Sequence, residues 1–252
     1  ASLGLDVDDN STVSSLTVAH TTPVSIASGK TLSGAVTVTA GSIRLAETGT
    51  LASTVSMSGG TLDADNSLTL SGALTQGGNI TIDVAEDKTL SYSGDEISLG
   101  ANTLTMSGEG TFSNTNDLIL NNASSKLLLS SSITVGSVST SADNSGLDVD
   151  DDNSTVSSLT VAHTTPVSIA SGKTLSGGIT VTAGSIKLAE TGTLASTVAM
   201  SGGTLDADNS LTLSGALSQA GNITIDVAED KTLSYSGDEI SLGAYTLTMS
   251  GG

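Results

Sequence analysis

Aromatic rings, cysteine and positive charge are what this sequence has least of. Its 252 residues include three Tyr, one Phe and no Trp. A globular core usually draws much of its volume from rings, so their scarcity argues for a narrow interior filled by columns of Val, Ile, Leu and Ala. The absence of cysteine excludes a disulfide framework and leaves the redox compartment open. Two Pro beside 29 Gly describe a chain of tight corners that keeps its backbone N–H groups free for sheet ladders. Seven Lys and Arg against 26 Asp and Glu give a net charge of −19, which argues against nucleic acid or an anionic membrane as partner. No apolar run reaches the ~18 residues of a membrane helix, and no signal-peptide pattern is present. The sequence opens and closes inside a repeat, so an export signal is expected outside this segment, and no membrane insertion is expected within it.

What the sequence does have is periodicity. Residues 36–54 and 55–73 form two 19-residue units with the same punctuation. Each carries three short alternations: Val36/Val38, Ile43/Leu45 and Leu51, then Val55/Met57, Leu62/Ala64 and Leu68/Leu70. Alternation at period two marks half-buried strands, and the Gly, Ser, Asn and Asp between them mark turns. Three strands and three corners make one coil of a β-solenoid, which buries its apolar face only by stacking on neighbours. The fold class is therefore all-β: a three-sided parallel β-helix with coils of 19–20 residues and some longer ones. A second strand recurs at Ile43–Leu45, Leu62–Ala64, Ile80–Ile82 and Leu147–Val149, with Leu45 and Leu188 stacked inward under Ala64 and Ala207.

A longer period lies above this one. Gly4–Ser11 recurs as Gly146–Ser154 with one residue inserted, and from there the chain repeats at +143, from His20/His163 to Met106/Met249. The differences are Ala35/Gly178, Val36/Ile179, Arg44/Lys187, Ser56/Ala199, Thr75/Ser218, Gly77/Ala220 and Asn102/Tyr245. The expected organisation is one continuous solenoid over 1–252, with one repeat copy at 4–145 and a partial second copy at 146–252. An apolar-Thr-apolar strand starting at Leu16, Val36, Val55, Leu74, Leu104, Ile133 and Leu159 steps by 20, 19, 19, 30, 29 and 26 residues. Taken as one column, it assigns an extra side or loop of about ten residues to each long step. Asp83–Asp87 and Asn114–Asp117 are the places expected to hold it.

The phrases Gly29-Lys30-Thr31-Leu32-Ser33-Gly34, Asp87-Lys88-Thr89-Leu90-Ser91 and Asn102-Thr103-Leu104-Thr105-Met106-Ser107-Gly108 resemble autotransporter passenger domains. They are also similar to tandem-repeat adhesins and haemagglutinin-like proteins of bacterial surfaces. The resemblance covers nearly the whole chain and is one of style. It implies a right-handed parallel β-helix, export to the cell surface or exterior, and a role in adhesion.

Several stretches invite a chemical reading. Ser28-Gly29-Lys30-Thr31 and Ser171-Gly172-Lys173-Thr174 carry the tail of a phosphate loop. The loop's first glycine falls on Val24, however, and no helical pattern follows, so both read as corners. His20 and His163, the only histidines, have no G-x-S-x-G turn with which to build a hydrolytic centre. Arg44 is the only arginine and is Lys187 in the second copy, unlike the arginine-, lysine- and carboxylate-lined clefts of carbohydrate-cleaving β-helices. No enzyme and no required cofactor are expected. The best site candidate is the run Asp148–Asn153, where Asp148, Asp150 and Asp152 stand at the D-x-D-x-D spacing that supplies hard oxygens to Ca²⁺. Asp6 and Asp8 are their first-copy counterparts, one residue short. Asp63/Asp65 and Asp206/Asp208 are expected nearby on adjacent coils. The alternative for all of these is a solvated corner that keeps the array soluble.

Thr17, Thr37, Ser56, Thr75, Thr105, Thr134, Thr160 and Thr180 are expected to point outward. Ranked Thr on a flat face can bind ice, although ordinary strand propensity also accounts for the pattern. Two function classes follow. One is a structural spacer in a bacterial surface adhesin, whose partners are other repeats of the same chain and an unidentified cell-surface receptor or matrix. The other is a ligand-binding face, for calcium-dependent adhesion or for ice.

Overall fold

The computed structural model of the protein describes residues 4–251. Among them there is no helix: 55% are in strands, all ladders are parallel, and the chain winds into a β-solenoid of about 12 turns. One sheet has 13 strands, from Leu5–Val7 to Leu247–Gly251, each pairing with the strand one coil away. The other 18 strands form a sheet that serves two sides of the prism. The eight-residue strands Ser11–Val18, Thr31–Val38, Ser154–Val161 and Thr174–Val181 bend from one of these sides to the other. The bend coincides with a register shift between Val13 and Leu16, and again between Val156 and Leu159. Gly34 and Gly177 enable it: both have φ of 118°, and a Cβ there would stand 1.8 Å from the carbonyl oxygen of Val13 or Val156.

The interior is a set of columns, as the alternation requires. Leu45 sits in register with Ala64, and Leu188 with Ala207, all buried. Val36, Val55 and Leu74 form a second column, and Leu32, Leu51 and Leu70 a third. Pairing a large with a small residue in one column keeps the layers interdigitated at crystal-like density. Two of the few rings take part: Tyr92 and Phe112 are fully buried and stacked, with centroids 6.0 Å apart. The Tyr92 hydroxyl accepts from the Leu74 N–H and donates to the Asp95 carbonyl, so a polar tip is satisfied inside an apolar column.

The long steps have a different origin from the one their spacing implies. Leu16, Val36, Val55 and Leu74 do share a side. Leu104-Thr105-Met106 belongs to the first sheet, between Ile80–Ile82 and Leu127–Leu129. Thr134 pairs with Thr111 on yet another side, and Leu159 with Val138 and Ile179. The 30-, 29- and 26-residue steps are therefore changes of side. Down the first sheet, partners differ by only 19 (Leu5 to Val24) to 24 residues (Ile80 to Leu104). The expected ten-residue loops do not exist: Asp83 and Val84 close a strand, and Asn114 ends another. The longer coil adds one residue at each corner, 85–88, 93–96 and 99–102 replacing 65–67, 71–73 and 77–79. All three sides bury alternate residues, so an apolar-Thr-apolar triplet carries no information about which side it occupies.

Across the two copies, Leu127 pairs with Leu147 and Leu147 with Val167, so the ladder of the first sheet passes from one copy into the next. Corner side chains join consecutive coils. Asn10 accepts from the Thr31 N–H, Asn79 from Thr103, and Asn121 from Gly100.

Candidate functional site

The acidic corners lie where a first-sheet strand ends and the chain turns toward the second sheet. Alternation puts Leu147 and Val149 inside and directs Asp148 outward. There it meets Lys126 of the coil below, Nζ to Oδ2 2.5 Å. Asp150 lies against Asp148. Burial first, then the Asp148 charge and a hydrogen bond to it, raise the Asp150 carboxyl above its ordinary range, while Lys126 pulls it down. Asp152 points elsewhere, to Lys173 of the coil above at 3.5 Å. The structure thus brings Asp148 and Asp150 together and leaves Asp152 apart. In the first copy Asp9, not Asp6 or Asp8, takes the equivalent lysine, Lys30, at 2.9 Å; Asp6 and Asp8 point out from the strand end and its turn. Among the described residues no group of three or more Asp, Glu, His or Cys is arranged to hold a metal.

A second acidic feature lies on the outward face of the first sheet. Arg44, Asp63, Asp83 and Ser107 occupy one register rank, as do Lys187, Asp206, Asp226 and Ser250. Arg44 reaches Asp65 at 2.5 Å and Asp63 at 3.8 Å; Lys187 reaches Asp206 at 3.2 Å and Asp208 at 3.9 Å. Burial, followed by the charges of Asp65 and Asp83, raises the Asp63 pKa against the opposing pull of Arg44. Ser107 Oγ donates to Asp83 and Ser250 Oγ to Asp226. Sequence spacing suggests a place for these aspartates beside the Asp148 corner; they sit instead on their own rank, each pair held by the basic residue one coil below. The readable signal was the identical place of Asp63 and Asp83 in their strands, one coil apart. Each basic residue here bridges two consecutive coils, so the ion pairs act along the stack.

The remaining motifs are corner pieces. Gly29, with φ of 72°, lets the Lys30 N–H donate to the Ala27 carbonyl at 2.9 Å, and strand Thr31–Val38 follows directly. The same turn recurs at Ala85–Lys88 with Asp87 at φ 58°. His20 and His163 present their backbone as a floor for Gly41 and Gly184, where a Cβ would meet the histidine carbonyl carbon at 2.5 and 2.6 Å. Thr17, Thr37, Ser56 and Thr75 share one ladder, with Thr75 donating to Ser56 at 3.1 Å. Thr105 and Thr134 face other sides. Thr61, Thr81 and Thr105 form their own ladder and line an open trough of about 320 Å³ with Asn79 and Thr103. Alternation alone does not assemble this rank, because Thr81 and Thr105 stand in triplets whose spacing suggests two different columns.

No family model, curated protein or solved structure matches the chain. The architecture itself is that of a β-helix repeat protein.

Proposed function

We propose that this chain is a non-enzymatic structural repeat of a large secreted or cell-surface bacterial adhesin, acting as a rigid stalk that holds a contact site away from the cell. The observation that most supports this is where the polar side chains spend their interactions. Four of the six lysines, the arginine and corner asparagines bond to the coil directly above or below, and the polar trough at Thr61, Thr81 and Thr105 is open and lined by no charged side chain. Catalysis needs convergent groups in a concave, water-excluding pocket. About 12 turns at about 4.8 Å each give a rod of roughly 58 Å, and near-identical copies lengthen such a rod additively.

The test places the chain between a surface anchor and a peptide-binding tip on bacteria. Capture of cells on a tall, ligand-coated brush is expected to improve with two inserted chains over one. It should be indifferent to Asp150→Asn. Binding of tipless cells to one another or to the surface, lost with EDTA, would overturn the spacer reading.

That outcome would favour the second reading, calcium-dependent contact. One observation supports it: burial first, and then the charge of the adjacent Asp148, raise the Asp150 pKa, and a shared cation would offset the part that comes from Asp148. On this reading Ca²⁺ on the order of millimolar raises the melting temperature by mass action. The double variant Asp150→Asn, Asp152→Asn loses part of that gain. An equal gain in the double variant leaves only general charge screening.

A further inference from the structure

The trough on the outward face of the first sheet is held more firmly than an ordinary Thr face requires. Its floor is the ladder Thr61, Thr81 and Thr105, with Asn79 and Thr103 along one wall, and its volume is about 320 Å³. Two amides of the coil below fix Thr103. The Asn79 Oδ1 accepts from its N–H at 2.8 Å, and the Gln76 Nε2 donates to its carbonyl at 2.9 Å. Gln76 is an unexpected residue to find there. It lies in register with Met57, and Met57 with Val38, both buried in an apolar interior column. The Gln76 Oε1 is buried without a partner, a loss of stability that an apolar side chain would avoid. The ladder does not require the bond either. In the second copy Gln219 makes the same bond to Thr246 at 2.9 Å and leaves the same orphaned Oε1, although the Thr246 carbonyl already accepts from the Ile223 N–H at 3.1 Å. A polar interior side chain present in both copies despite that loss, and used to fix one residue of a concave wall, points to a site.

We propose that this trough binds a neutral saccharide, one or two sugar units of a polysaccharide laid across the coils, and that Gln76 is a positioning residue for it. This role does not depend on the stalk reading. The hydroxyls of Thr61, Thr81, Thr103 and Thr105 and the Asn79 Nδ2 make no hydrogen bond to other described residues, unlike Thr75, whose hydroxyl bonds to Ser56. Five neutral donors, four of which also accept, therefore converge on one concavity. No charged side chain lines it, and Asp63 and Asp83, one rank along the same strands, repel an anion. The ligand must be uncharged and carry closely spaced groups that both donate and accept, which is what sugar hydroxyls supply. Rungs about 4.8 Å apart suit successive units of an extended glycan. The volume falls at the small end of ligand sites, about 300–1,000 Å³. An ice lattice needs a flat rank, and this one is sunk. No ring is present for a sugar to stack on, so a single trough holds weakly. Thr204, Thr224, Thr248, Asn222 and Thr246 repeat the arrangement in the second copy, and two troughs on one glycan bind by avidity.

Affinity electrophoresis of the whole chain tests this, in native gels containing a neutral glycan (dextran, laminarin or galactomannan) or anionic alginate. At least one neutral glycan is expected to retard the protein severalfold, and alginate not at all. Thr81→Val with Thr224→Val removes a central hydroxyl from each trough at nearly constant shape, and is expected to abolish most of the retardation. Thr50→Val with Thr193→Val, on the second sheet, is the control and keeps it. Gln76→Met with Gln219→Met separates positioning from scaffolding: retardation should weaken severalfold while the melting temperature holds or rises. Far-UV circular dichroism checks that every variant keeps its coils. No retardation by any of the three neutral glycans, equal retardation by alginate, or retardation unaltered by the paired Thr81 and Thr224 substitutions overturns the proposal. A glutamine pair that melts lower and binds as before would make those residues scaffold and overturn their positioning role.

Discussion

Replacing Leu45 tests the register more sharply than any change on the surface. Its side chain is 2% exposed and lies in register between Val24 and Ala64. Leu45→Ala removes buried methyl groups and leaves a cavity whose neighbour, Ala64, is too small to fill it. The substitution is therefore expected to cost about 2–5 kcal/mol. The adjacent Arg44 points outward, half exposed, with its ion pairs to Asp63 and Asp65 in contact with solvent. Arg44→Ser is expected to cost no more than about 1 kcal/mol. For a chain of this size each kcal/mol lowers the melting temperature by roughly 2–4 °C, so the two variants should separate clearly. Thermal melts by circular dichroism give the totals. Hydrogen exchange locates the damage: the Asp65 N–H, bonded to the Leu45 carbonyl, should lose protection in Leu45→Ala and keep it in Arg44→Ser. A one-residue slip of the strand would exchange the two faces. Equal losses, or a larger loss for Arg44→Ser, would refute the register and the three-column core built on it.

Asp87 and Asp230 hold a left-handed backbone at φ 58°; Asp87→Val is expected to destabilise by about 1–2 kcal/mol, and Asp87→Gly by much less, read by urea denaturation. Tyr92→Phe strands the buried Leu74 N–H and the Asp95 carbonyl and is expected to cost about 1–3 kcal/mol. Tyr235→Phe, at the more open equivalent site, should cost less in the same melt. The Asp150 carboxyl is raised in the folded chain by burial and by Asp148. Its folded pKa therefore exceeds its unfolded one, and the stability it lends at low pH is lost as pH rises through the folded value. Asp150→Asn should accordingly raise the calcium-free melting temperature near neutral pH and leave it unchanged below pH 3.8, the ordinary aspartate value; no pH dependence in the difference would remove the linkage.

The sequence made the solenoid legible because burial in a stacked coil is strictly alternate. Leu45 and Ala64 could be assigned to one column from 19-residue spacing alone. Which side a strand occupies was not legible. Leu104-Thr105-Met106 and Val36-Thr37-Val38 satisfy the same pattern while lying in different sheets. Only corner lengths separate them, and those grow by single residues. Partners for the acids were equally hidden. Lys126 and Asp148 are 22 residues apart in sequence and meet because a lysine stem spans the gap between neighbouring coils. Spacing within one corner could place Asp148 near Asp150, but could not show that Asp152 turns to Lys173 on the next coil.

The direction of the ladders also sets how such a rod bears load. Hydrogen bonds between coils, such as Asp65 N to Leu45 O and Asp150 N to Leu129 O, run along the long axis. Tension applied at the two ends loads them a few at a time, as in opening a zipper, and not as one shearing sheet. A coil of 19 to 24 residues that comes free lengthens the chain by roughly 60–80 Å, at about 3.3 Å per residue. Its neighbour stays folded, because each coil contacts only those adjacent to it. Under a steady pull the molecule would yield in small successive steps from its ends, so a rod that resists bending still gives way gradually along its own axis.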